Sequence, residues 1–97
     1  MLNTENTMKC RRLLNRYGYR HQLTILIEEC SELIKEVCKM FRNGTCATPA
    51  PEAFKEELVD VLIMAHEAVM ICGISEAEIN RRAAEKLDRA LKRMEQD

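Results

Sequence analysis

Between Leu58 and Cys72 every residue is apolar except Asp60, His66 and Glu67. Pro51 suits the first turn of a helix and Gly73 closes one, so the run reads as a helix that is hydrophobic nearly all round. A helix of that kind is buried. It is too short and too interrupted by ionisable groups for a membrane span, which needs roughly 20 mostly apolar residues. The expectation is therefore a soluble helical core element, with other helices arranged to cover it.

The rest of the chain supplies those helices. Leu23, Leu26, Ile27, Cys30, Leu33, Ile34, Val37, Cys38 and Phe41 recur at three- and four-residue spacing, which predicts a helix from about Tyr19 to Arg42 with that stripe in the core. Asn43-Gly44 ends it, and residues 45–50 form the one convincing loop. A first helix is expected from about Thr4 to Arg16, stopping at Tyr17-Gly18. A fourth begins with Ser75 as N-cap and Glu78 three residues on, a capping box, and runs to the C-terminus. Three glycines and two prolines in 97 residues leave little turn chemistry for an all-β chain. The fold class is all-α, one four-helix domain over residues 1–97, because the length allows no second core.

Fifteen Lys+Arg against sixteen Asp+Glu give a net charge of −1, so no global field draws the chain to a nucleic-acid polymer or an anionic membrane. The five cysteines, Cys10, Cys30, Cys38, Cys46 and Cys72, contain no C-x-x-C pair and are odd in number. They fit reduced thiols in a cytoplasmic protein better than disulfides or a zinc site. The N-terminus lacks a basic segment followed by an apolar one, so no secretory signal is expected.

Chemistry concentrates in acids that a core helix should not carry. Glu57 and Asp60 are one turn apart on the apolar helix, and an ionised carboxylate buried without a partner costs several kcal/mol. On the preceding helix Glu29 and Glu32 have the same spacing, on a stripe that runs through Gln22, Ile25, Glu29, Glu32 and Glu36. A lone E-x-x-E is ordinary on a solvated helix face. Two such pairs on antiparallel neighbours would instead oppose four carboxylates, a repulsion that a divalent cation resolves. An all-oxygen set without His or Cys suits Mg²⁺, with Mn²⁺ as the alternative, and lacks the E-x-x-H of di-iron bundles.

These motifs, Glu28-Glu29-Cys30-Ser31-Glu32 followed by Glu57-Leu58-Val59-Asp60, resemble the E-E-x-x-E and E-x-x-D hallmark of the MazG-like, all-α nucleoside triphosphate pyrophosphohydrolase superfamily. The resemblance extends to Tyr17-Gly18 and Gln22 upstream and to Lys86-Leu87-Asp88-Arg89 with Arg93 downstream, covering about residues 15 to 94. It implies a MazG-like bundle completed by homo-oligomerisation, as dimer or tetramer. It further implies that Glu29, Glu32, Glu57 and Asp60 bind Mg²⁺ and that Lys86, Arg89 and Arg93 hold a triphosphate. Many relatives carry an asparagine after the downstream lysine, where this chain has Asp88 and Arg89.

The expected activity is Mg²⁺-dependent hydrolysis of a nucleoside triphosphate to the monophosphate and pyrophosphate, with Glu28, Glu32 or Glu36 taking the proton of the attacking water. Gln22 is the candidate for reaching a base or sugar. Arg82, Lys86, Arg89 and Arg93 lie on one side of the last helix, equally readable as a phosphate clamp and as a solvated face. A phosphoribosyl-ATP pyrophosphatase-like enzyme and a non-catalytic helical adaptor are the alternatives. His66 projects roughly 120° from Asp60 round the helix and is read as structural.

Overall fold

The computed structural model describes residues 1–45 and 48–97. Cys46 and Ala47, within the expected loop and including one of the five cysteines, lie outside the described residues. Among the described residues the chain is all-helical, with four helices and no strand: α1 Thr4–Tyr17, α2 Tyr19–Asn43, α3 Glu52–Cys72 and α4 Glu76–Gln96.

The punctuation works as local chemistry requires. Gly44 (φ 62°) and Gly73 (φ 70°) hold the left-handed conformation that ends α2 and α3, a conformation strained for any residue with a Cβ. Asn3 caps α1 by accepting from the Asn6 N–H at 2.8 Å, and Pro51 stands at the N-cap of α3. Ser75 caps α4, its hydroxyl accepting from the Glu78 N–H at 3.1 Å. The reciprocal half of the capping box does not form, because the Glu78 carboxylate accepts from Arg82 Nε at 2.8 Å instead.

Packing centres on α2 and α3. They run antiparallel in a fixed register: Gln22 and Glu29, seven residues apart on α2, meet Glu67 and Asp60, seven apart on α3. Helix α1 lies against both, closing over α3 with the buried Cys10 and a Thr7–His66 hydrogen bond of 3.0 Å. That bond gives His66 the structural role expected of it. Helix α4 packs on none of the other three and leaves α3 at 112°, since only Gly73, Ile74 and Ser75 join the two. The bundle within one chain thus has three packed helices and a fourth that stands off it.

The core is correspondingly thin. Met64 and Cys10 are its only fully buried apolar residues among those described. The expected core stripe of α2 divides: Leu23, Leu26, Cys30, Leu33 and Val37 are half-buried, whereas Ile27, Ile34, Cys38 and Phe41 are exposed. The apolar girth of α3 is likewise incompletely covered, with Leu58, Val59 and Leu62 reaching solvent. Among the described residues, no single helix is long and apolar enough to cross a membrane.

Candidate metal centre

The α2–α3 register brings three of the four acids together. One carboxylate oxygen from each of Glu29, Glu57 and Asp60 lies within 4.8 Å of the others, and all three residues are half-buried. Glu29 comes from α2, and the Glu57/Asp60 pair from one turn of α3. Beneath them a cavity of about 160 Å³ is walled by Ile25, Ile63 and Met64, so the carboxylates face apolar surface on one side.

The hydrogen bonding of this layer is incomplete. Glu29 Oε2 and Glu57 Oε2 are buried and have no hydrogen-bond partner. Burial first, then the neighbouring Glu57 and Asp60 carboxyls, push the Glu29 carboxyl up to about 7. A set of hard oxygen acceptors with buried lone pairs left over fits a hard dication, and Glu29, Glu57 and Asp60 are the residues that would hold it.

Glu32 does not join them. It is half-exposed and its carboxylate sits 3.9 Å from Lys35 Nζ, one turn along the same helix. The spacing set its backbone on the right stripe, but a glutamate has three rotatable bonds, and here it turns outward to a lysine. Glu28 is exposed. Glu36 is mostly buried and pairs with Lys39 at 3.3 Å, at the edge of a cavity of about 450 Å³ beside the loop, lined also by Met40, Asn43, Thr45 and Pro51.

Gln22, the candidate for reaching a base or sugar, is buried. It is 3% exposed; its side-chain N–H donates to Glu67 Oε1 at 2.8 Å, and its carbonyl accepts from His21 Nδ1 at 2.7 Å. Both ends of the amide are engaged by the chain's own side chains, the Glu67 end buried and the His21 end nearer the surface. Glu67 is fully buried, and Glu67 Oε2 has no partner. Burial, then the Glu67 carboxylate, push the Cys10 thiol up. The sequence held the signal for this pair, since Glu67 lies on the same α3 stripe as Glu57 and Asp60, two turns from Asp60.

Lys86, Arg89 and Arg93 are exposed on α4, and Arg82 is held to Glu78 by contacts of 2.8 and 2.7 Å. Because α4 packs on no other helix, the fold of one chain does not bring this basic row to the acids. No family model, curated protein or solved structure matches the chain.

Proposed function

We propose that the chain is a Mg²⁺-dependent hydrolase of nucleoside triphosphates that releases pyrophosphate, acting as a homo-oligomer. The observation that carries this reading is the Glu29/Glu57/Asp60 cluster with its two buried, partnerless carboxylate oxygens. Acids at this separation repel one another, a cost that a proton or a cation among them relieves, and the all-oxygen donor set suits Mg²⁺ or Mn²⁺ better than softer metals.

When bound, the dication supplies charge neutralisation for the phosphate oxygens and acidifies water. The reaction itself is an in-line displacement. A water oxygen bonds to the α-phosphorus, the bond from that phosphorus to the bridging oxygen of the β-phosphate breaks, and pyrophosphate leaves. Glu32, one turn from Glu29 and held only by an exposed lysine, is free to rotate inward as a fourth ligand or to take the proton of that water. Glu28 and Glu36 are the other carboxylates within a turn or two of Glu29 on α2. The cavity of about 450 Å³ beside Glu36 and Lys39 has the size of a small-molecule site and suits the nucleoside end. Lys86, Arg89 and Arg93 serve the phosphates only if α4 of the same or another copy closes toward the acids.

The test is pyrophosphate release from a panel of nucleoside triphosphates and phosphoribosyl-ATP, with and without MgCl₂. Activity that needs Mg²⁺ and falls at least ~100-fold in Glu57→Gln and in Asp60→Asn is the expected outcome. Full activity in both variants overturns the metal centre, and no release from any member of the panel overturns the hydrolase.

A further inference from the structure

The surface of this chain is larger than that of a compact monomer of its mass, in part because α4 stands off the other helices. It exposes 7677 Å², whereas a folded monomer of 11.2 kDa exposes about 5,700 Å². The Cα radius of gyration is 16.3 Å, against about 12.5 Å for a compact domain of 97 residues. The excess of about 2,000 Å² per chain is what subunits of an obligate symmetric pair bury.

Part of that excess is the outer face of α2. Ile27 (70% exposed), Ile34 (65%) and Phe41 (81%) stand seven residues apart on one line, roughly 180° round the helix from the acidic stripe that faces α3. Their seven-residue spacing sets three large apolar side chains on one line of α2 that the other helices of the chain leave exposed, a seam along which a second helix can pack. The seam is also complementary to itself. Turned about a two-fold axis at Ile34, it packs Ile34 on its own copy and Ile27 against the partner's Phe41. The flanking charges agree with that direction. Glu28 and Arg42 lie on the same side of the seam, and the reversal sets each Glu28 beside the partner's Arg42. Lys35, which comes nearest the axis, has Glu32 of its own helix 3.9 Å away to offset its like-charged neighbour.

We infer that two copies of this chain pair antiparallel through α2, with Ile34 on the two-fold axis. The pairing names the surface behind the self-association in the functional reading, but it does not rest on hydrolysis, because the seam points away from the acids.

The measurement is sedimentation equilibrium of the full chain at micromolar concentration, in EDTA and in MgCl₂. A dimer is expected in both, and Ile34→Glu raises its dissociation constant at least ~tenfold, since one charge from each copy then meets at the axis. Ile34 is exposed in the single chain, so its replacement removes no contact within one chain, and the far-ultraviolet helical signal is compared at concentrations where the variant is still paired, where it matches the parent. Ile34→Cys under mild oxidation yields a disulfide between two copies of position 34, identified by peptide mapping. A monomeric parent chain overturns the pairing. So does a dimer that Ile34→Glu leaves intact, or an Ile34→Cys chain without the 34–34 link. A monomeric parent chain also removes the self-association from the functional reading, but pyrophosphate release and the response of Glu57→Gln are read independently, so failure here is separable from failure of the metal centre.

Discussion

Asp60→Asn acts on the cluster in two opposed ways, and the opposition is what makes it informative. The substitution removes one charge from three carboxyls whose oxygens lie within 4.8 Å of one another. Two unit charges at that separation repel by about 1 kcal/mol in a water-like medium and about 3.5 kcal/mol at an effective dielectric of 20. The site is half-buried, so relief of about 1–2 kcal/mol is expected. For a domain of this size each kcal/mol moves the melting temperature by roughly 4–8 °C. The metal-free variant should therefore melt about 5–10 °C above the parent chain in EDTA. The same change withdraws an ionised ligand, so the stabilisation by Mg²⁺ should vanish. In the parent chain that stabilisation amounts to about 1.4 kcal/mol at ten times the dissociation constant. Circular-dichroism melts in EDTA and in MgCl₂ read both effects on one sample. Asp88→Asn, on α4 and outside the cluster, controls for net charge and should stay within about 0.5 kcal/mol of the parent in either buffer. An Asp60→Asn chain that melts lower than the parent in EDTA, or that keeps the full Mg²⁺ response, refutes the argument from repulsion and ligation.

Two further outcomes concern the polar residues between α2 and α3. Without metal, Glu29 holds a proton more tightly when folded, at about 7, than the ordinary value of 4.5, so its contribution to stability is complete below pH 4.5 and is lost as the pH rises through 7; urea midpoints in EDTA should fall across that window, and Glu29→Gln should flatten the fall. Gln22→Leu strands the fully buried Glu67 and should cost about 3–5 kcal/mol, Glu67→Leu strands only the Gln22 amide and should cost about 1–3 kcal/mol, and the double variant should cost less than either; additive single-variant costs in urea unfolding would disprove the pairing.

The helices were legible in the sequence because their ends are chemical. Gly18, Gly44 and Gly73 take positive φ, Ser75 caps α4, and the boundaries fall within a residue or so of where those residues stand. The opposition of Glu29 to Glu57 and Asp60 was legible too, because the same three-residue step sets each acidic group on one face of its helix, and antiparallel neighbours turn those faces together. What periodicity does not carry is whether a helix of the same chain covers a given stripe. Ile27, Ile34 and Phe41 repeat as core residues do, yet no helix of the same chain reaches them. The α4 stripe of Ile79, Leu87, Leu91 and Met94 is bare for a related reason. Its direction is set by three linker residues whose backbone angles the stripe does not encode. Glu32 escaped because helical spacing fixes a Cβ and leaves three side-chain torsions open.

The two polar layers of the α2–α3 seam bear on whether the acidic one holds a cation. In one layer Gln22 supplies an N–H to Glu67, so a donor meets an acceptor within the pair. Two turns away, in the same register, every side chain is a carboxyl, and a proton on Glu29 provides only one donor among six oxygens. An amide at position 57 would make that layer resemble its neighbour, with an N–H for Glu29 and no net call for outside charge. The chain carries a glutamate there instead, and leaves its Oε2 and that of Glu29 buried without a partner. A layer built only of acceptors is costly alone and inexpensive around a dication, so Glu57→Gln, like Asp60→Asn, should trade the Mg²⁺ response for metal-free stability, since each removes one charge and adds one N–H donor.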